Sequence, residues 1–308
     1  MSRTSVLIAG TSHALLAEEV ARQLGISLFP VSIVRFPDGE CRVQLNESVT
    51  GKQVFILQSL ARAPNERLVE ALLLVDAARR GGAQSIVLVC PYLAYSRQSV
   101  QETEGVSVAA RLFADFLKIA GVNHLVTIDL HAELVRSFFD FPVEHLSARS
   151  AFIEALQVQK IVKDDLVVVG PDLGSAKLAS KLSQELGVHL ALIQKQRIDA
   201  HKVNMLSLLG DVKGKTVLLA DDVCSTAGTL TSAATVCREK GAKNIFACVS
   251  HGLFSEEALD LIEKSPIERL FVSDSVRPEH RTATSTKICV VSIANTLAFA
   301  LSRLRSSF

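Results

Sequence analysis

The feature that most constrains this chain is a repeated unit: a short apolar run, a turn, a longer stretch of helical periodicity, a glycine, and another apolar run. The apolar runs occupy residues 6–9, 54–58, 86–90, 125–129, 166–170, 190–193, 217–220, 245–249 and 269–272. Several are apolar throughout, as in strands buried on both faces of a parallel sheet covered by helices. Helical patterns fill residues 65–78, 106–120, 175–186 and 229–240, and glycines at 81–82, 121, 187 and 241 end them, as glycines at helix C-termini do. Strand, loop, helix, glycine, strand is a βαβ series. It predicts an α/β fold built on mostly parallel, doubly wound sheets.

The chain has 308 residues, which suits two domains of about 150 residues each. The repeated unit runs to about residue 145, breaks over 147–165 and resumes, so the predicted domains are 1–146 and 147–308, two similar α/β units. A final helix over 293–305 closes the chain. The pattern does not reveal where it docks, and a return to the first domain is one option.

Hydrophobic residues make up 48% and charged residues 21% of the chain, with a net charge of +1. That leaves no electrostatic footprint for a nucleic acid, and no basic run of five exists. No stretch of 18 apolar residues lacks a charge, so no membrane span is expected. Residues 6–9 are too brief for a secretory h-region, so no leader is expected either. Cysteines stand at 41, 90, 224, 237, 248 and 289, none in CxxC spacing. Zinc and dithiol readings therefore fail, and small core hydrophobes in a reducing, cytoplasmic compartment are expected.

The usual nucleotide loops are absent. Residues 210–216, Gly-Asp-Val-Lys-Gly-Lys-Thr, fall one residue short of a Walker A loop and precede a strand, so they read as a turn. No GxGxxG and no HExxH occurs.

The strongest signal is the stretch 217–230. An apolar strand ends in Asp221 and Asp222, then Ser225, Thr226, Ala227, Gly228 and Thr229 lead into a helix. Ligands of open α/β sheets bind at the carboxyl ends of strands. Small residues let backbone N–H groups approach an anion, and the helix N-terminus adds about half a positive charge. The two acids suit hydroxyls, or a metal that offsets their repulsion. A phosphate beside vicinal hydroxyls describes a ribose phosphate. The same residues also read as an N-cap cluster beside two solvated acids.

This stretch resembles the phosphoribosyl-diphosphate loop of the type I phosphoribosyltransferase fold. The chain from Val6 almost to Phe308 resembles the ribose-phosphate pyrophosphokinase family, because further motifs follow in order. Phe36-Pro37-Asp38-Gly39-Glu40 is a turn signal with two acids and an aromatic. The resemblance implies that Phe36 stacks on the adenine of ATP bound by a neighbouring subunit, with Asp38, Gly39 and Glu40 around it. Arg97 and Gln98 follow the run at 86–90 and are implied to bind ATP; an Arg plane can stack on a base or pair with phosphate. His131 follows Asp129 at another strand end. Its implied partners are magnesium and the ATP phosphates, with Asp129 orienting it.

Asp172 sits in Gly170-Pro171-Asp172-Leu173-Gly174-Ser175. A carboxylate there suits a hard cation that also takes substrate phosphate oxygens, and the resemblance makes it a magnesium ligand. Lys195 and Arg197 follow the run at 190–193. The resemblance makes Lys195 catalytic and Arg197 a second cation for charge on the passing diphosphate and for ribose 5-phosphate. The implied reaction is attack of the anomeric hydroxyl of ribose 5-phosphate on the β-phosphorus of ATP, with AMP leaving and Mg2+ as cofactor. The implied assembly is a homo-oligomer, a hexamer built from dimers.

Four features depart from the family pattern. Ser175 replaces a second glycine, Gln196 a basic residue, and Ser225 the commoner aspartate. After Gln98 the family continues with an aspartate and a basic residue in a mobile loop, whereas residues 99–106 here read Ser-Val-Gln-Glu-Thr-Glu-Gly-Val. Two acids beside a triphosphate are unfavourable. Two alternatives therefore stand beside the synthetase: a regulatory paralogue without catalysis, and a phosphoribosyltransferase that consumes phosphoribosyl diphosphate.

Overall fold

The structure is a computed structural model, and it describes residues 5–162, 165–196, 205–255 and 257–306. The chain divides into two compact units. The first runs through Ser147 and takes in residues 275–277 and the segment from Ser292 onward; the second holds Ala148–Asp274 and Pro278–Val291.

The first unit contains β1 (Ser5–Ala9), α1 (Ala14–Leu24), β2 (Val31–Arg35), β3 (Cys41–Leu45), β4 (Gln53–Leu57), α2 (Pro64–Arg80), β5 (Ser85–Cys90), α3 (Ala109–Ala120), β6 (His124–Ile128) and β7 (Val143–Leu146). Its five-stranded sheet is parallel throughout, in the order β1-β4-β5-β6-β7. β4 is buried along its whole length, and Phe55, Ile56, Leu57, Leu74, Leu88, Leu117 and Leu125 are fully enclosed. That is the burial expected of parallel strands covered on both faces. Gly121 ends α3 at φ 114°, a conformation that favours glycine. β2 and β3 form a separate antiparallel hairpin.

The second unit contains α4 (Arg149–Val158), β8 (Leu166–Gly170), α5 (Ala176–Leu186), β9 (His189–Gln196), β10 (Met205–Leu209), β11 (Thr216–Cys224), α6 (Gly228–Glu239), β12 (Asn244–Gly252), α7 (Ala258–Lys264), β13 (Arg269–Ser273), α8 (His280–Thr284) and β14 (Ile288–Val291). Its seven-stranded sheet has the order β10-β9-β8-β11-β12-β13-β14, with only β10 antiparallel. From β8 the chain winds outward to β9 and then returns to the other side of β8 as β11, so the direction of winding reverses between β8 and β11. Apolar residues of β8, β9, β11, β12 and α6, among them Val169, Ile193, Leu219, Leu230 and Val249, form its core.

α9 (Ala294–Ser306) closes the chain within the first unit. It buries Leu297, Leu301 and Leu304, spaced four and three apart along one face, and packs on α1. Each such leucine contributes about 1.5–3 kcal/mol relative to exposure. Gln53 Nε2 donates to the Leu304 carbonyl at 3.4 Å and Arg305 to the Leu24 carbonyl at 3.0 Å.

Two sequence expectations change here. Residues 147–165 are not a break, because α4 occupies most of them; it buries only Phe152 and Leu156, too thin an apolar stripe to stand out. β11 also continues past its acids to Cys224, because pairing with β12 extends to Cys224 opposite Gly252. Burial pushes the Cys224 and Cys237 thiols up to about 12, as for inert core cysteines. Among the described residues, no helix is long and apolar enough to cross a membrane.

Candidate functional site

The winding reversal between β8 and β11 is where open α/β sheets form a ligand crevice, outside the carboxyl ends of the strands. Two connections leave the sheet there. The first follows β8 and carries Asp172 into α5. Asp172 Oδ1 accepts from the Ser175 amide at 3.0 Å, and the Ser175 hydroxyl donates to the Asp172 carbonyl at 2.8 Å. Ser175 is 3% exposed. Its hydroxyl thus fastens the turn that holds Asp172, where a glycine could not.

The second connection follows β11. Asp221 and Asp222 sit in the last pleats of the strand, half-buried, and the Asp222 amide donates to Asp221 Oδ1 at 2.9 Å. Burial, then the Asp222 and Asp172 carboxylates, push the Asp221 carboxyl up to about 8. All three carboxylates therefore share one electrostatic environment. Ser225, Thr226 and Ala227 then turn into α6, with Ala227 left-handed at φ 64° and no side chain capping the helix. The carbonyls of Cys224 and Ser225 accept from the Leu253 and Ser255 amides at 2.9 and 2.8 Å, which holds the loop from behind. Four N–H groups at a helix start lack intrahelical partners. No side chain caps the helix start; the Ala227 amide is turned to the Cys224 sulfur, and the amides of the first helical turn face the position an anion would take. The helix begins at Gly228, one residue earlier than its periodicity indicates.

Lys195 lies in β9, opposite Leu206 of β10; its side chain and the whole of Arg197 lie outside the described residues.

In the first unit, the residues after β5 and β6 emerge at the carboxyl edge of two paired parallel strands. Arg97 and Gln98 are exposed, and the Gln98 amide donates to the Tyr95 carbonyl at 2.9 Å. Tyr95 is stacked on Phe113, ring centroids 4.2 Å apart. His131 is exposed two residues beyond Asp129, which is buried at φ 32°. Phe36, Asp38, Gly39 and Glu40 form the hairpin tip between β2 and β3. The Phe36 amide donates to the Glu40 carbonyl at 2.8 Å, the Gly39 amide to the Phe36 carbonyl at 2.9 Å, and Gly39 takes φ 96°. Phe36 is 42% exposed, so its ring is presented outward. Residues 101–107 are exposed, leaving Glu102 and Glu104 in solvent.

Sequence reading missed Glu70. It lies inside the buried stripe of α2 with Leu68, Ala71, Leu74 and Ala78. The available signal was a carboxylate within a helix's apolar face.

A divalent cation fits the donor set at the winding reversal, because burial together with the neighbouring carboxylates raises the Asp221 pKa, and a 2+ charge would relieve both the burial cost and the repulsion. Among the described residues, no group of three or more His, Cys, Asp or Glu is placed as a ready metal cage. Magnesium held by one or two carboxylates and substrate oxygens needs none.

A winding reversal with backbone donors and three acids at its strand ends, in one of two α/β units, defines the class: an α/β transferase of the phosphoribosyltransferase type. Residues 5–121 match the family model described as the N-terminal domain of ribose phosphate pyrophosphokinase, and residues 191–307 match the phosphoribosyl synthetase-associated domain. A ribose-phosphate pyrophosphokinase of Aquifex aeolicus is 38% identical over 299 residues, 97% of this chain and 95% of the relative. That of Vibrio parahaemolyticus is 38% identical over 300 residues, again 97% and 95%. The crystal structure of phosphoribosylpyrophosphate synthetase from Mycobacterium smegmatis superposes with a TM-score of 0.93 at 33% identity, covering 99% of this chain and 100% of that one. The chain belongs to the ribose-phosphate pyrophosphokinase family, a family of diphosphate-transferring enzymes.

Proposed function

We propose that this chain transfers the β,γ-diphosphate of ATP to the 1-hydroxyl of ribose 5-phosphate, giving 5-phosphoribosyl-1-diphosphate and AMP. The observation that carries the reading is the uncapped Ser225–Thr229 cradle beside Asp221, Asp222 and Asp172 at the winding reversal. The cradle takes the 5-phosphate through backbone N–H groups. Asp221 and Asp222 accept from the ribose hydroxyls. Phe36 stacks on adenine, Asp38 and Glu40 read its polar edges, and Arg97, Gln98 and His131 bind the rest of ATP. His131 and Asp172 would hold magnesium, which when bound supplies charge neutralisation at the phosphate oxygens. Lys195 and Arg197 stabilise the charge that develops on the diphosphate. Transfer of this kind depends on in-line positioning and electrostatics more than on covalent help. The chain works as a cytoplasmic homo-oligomer built from dimers.

Phosphorus NMR of the protein with ATP, magnesium and ribose 5-phosphate tests the reading. AMP and the diphosphate ester appear in step if it is right. The exposed acids at 102 and 104 favour a second reading, a regulatory paralogue. That reading takes over if no product forms with ATP, other nucleoside triphosphates or added inorganic phosphate. Lys195→Ala lowers kcat on the order of 100-fold or more; near-full turnover would remove Lys195 from the mechanism.

A further inference from the structure

The hairpin β2–β3 is weakly held by its own packing. A two-stranded hairpin is marginal alone in water, and neither strand contains a fully buried residue: β3 alternates between half-buried and exposed and rests on α2, whereas β2 ends exposed at Val34 and Arg35. Yet its tip carries Phe36, and a stacking ring is useful only if its orientation is fixed. What fixes it must come from outside the hairpin.

Glu70 of α2 is the group in place to do so. Its side chain is completely buried, and burying a carboxylate costs several kcal/mol unless its oxygens are satisfied. They are. The Thr11 amide donates to Oε1 at 2.6 Å, the Thr11 hydroxyl contacts Oε1 and Oε2 at 2.9 and 2.7 Å, and Gln58 Nε2 donates to Oε1 at 3.0 Å. Arg67 reaches Oε2 at 3.4 Å and also bonds the Thr11 hydroxyl. Arg35 donates to Oε2 at 2.9 Å. Thr11 follows β1 and Gln58 follows β4, so the carboxylate is locked to the carboxyl edge of the first sheet. A Cβ on Gly10 would stand 2.1 Å from Gln58 Oε1 and 3.2 Å from Glu70 Oε1, so the packing leaves no slack. Of the donors, only Arg35 comes from the hairpin. It is the last residue of β2, and the next residue is Phe36.

We infer that Glu70 and Arg35 are positioning residues for nucleotide binding: a buried carboxylate, immobilised on the sheet edge, grips the hairpin one residue before its stacking ring. The inference rests on the assignment of Phe36 to ATP. A salt bridge with one partner fully buried and otherwise satisfied loses less to solvent than an exposed pair; added to the packing of β3 on α2, it fixes the end of β2 that leads into Phe36.

The test uses full-length Arg35→Met, which removes the hairpin's arm and leaves Glu70 its other donors, and Arg35→Lys, which restores a cation of similar reach. Glu70→Gln is the matching change at the buried end. Two quantities are read: hydrogen exchange of amides 35–41 without ligand, and the Kd for α,β-methylene-ATP beside that for ribose 5-phosphate. Arg35→Met should speed hairpin exchange about tenfold and weaken the ATP analogue about tenfold, while ribose 5-phosphate affinity stays within about twofold and Arg35→Lys recovers part of both. Unchanged exchange in Arg35→Met overturns the inference. Faster exchange with unchanged ATP affinity also overturns it. Equal weakening of both ligands shows general destabilisation instead. Neither quantity needs turnover, so the role of the hairpin can be decided even on a protein that makes no product.

Discussion

Between pH 4 and 8 the folded and unfolded chains differ at Asp221. Unfolded, the carboxyl releases its proton near its ordinary 3.8; folded, burial and the charges of Asp222 and Asp172 hold the proton until about 8. Within that window the folded state binds more protons than the unfolded one. The contribution to stability is fully present below about pH 4 and is lost as pH rises to about 8. Thermal melts in EDTA should therefore show Tm falling across this range, and magnesium should restore it at pH 8 by offsetting the repulsion. Asp222→Asn removes one of the repelling charges. It should flatten the decline and raise the metal-free Tm at pH 8 by a few degrees, while turnover drops. If the melt is flat with pH and indifferent to magnesium, these carboxylates do not share a charge problem. The cluster was legible in the sequence because Asp221 and Asp222 are adjacent and Asp172 follows the end of a strand of the same repeated unit. Glu70 was not, because Thr11, Arg35, Gln58 and Arg67 converge on it from separate segments that only the fold unites.

At the scale of elements, the buried parallel strands announced themselves because both their faces are apolar. The pieces that were missed have weaker or different signatures. β2 and β3 alternate Val31, Ile33 against Ser32, Val34 and Cys41, Val43, Leu45 against Arg42, Gln44, a pattern of half-buried antiparallel pairing that the turn at Phe36–Glu40 should have flagged. β10 and β14 are edge strands of their sheet, where one side needs no partner and the apolar run is correspondingly short. The segment at 99–106 is the element where the sequence reading expects a basic residue and finds two acids. Its acids are exposed rather than engaged in the core, so exchanging them should leave the fold intact. The variant Glu102→Lys with Glu104→Lys should lower KM for ATP about threefold to tenfold at low salt, an advantage that fades by about 0.5 M salt as the charges are screened. An unchanged KM at low salt would mean that this segment stays away from the phosphates.

At the scale of the whole molecule, the proposed function divides the labour between the two units: the first would present the hairpin, Arg97, Gln98 and His131, and the second the cradle and the acids. The hairpin tip is directed outward, with Phe36 exposed, and in the proposed function it serves ATP held by a neighbouring subunit. That arrangement has a signature no single-chain enzyme can imitate. Phe36→Ala removes the ring a subunit lends, and Lys195→Ala removes a group the subunit keeps for its own site. Each variant alone is nearly inactive. When equal amounts are allowed to exchange subunits, random pairing makes about half of the dimers mixed, and in each mixed dimer one of the two sites receives an intact ring and an intact lysine. Activity should therefore return to about a quarter of wild type. If Phe36 served its own chain, every site in the mixture would still carry one defect and no activity would return. Steady-state rates before and after exchange, with analytical ultracentrifugation to confirm that subunits have mixed, separate the two cases.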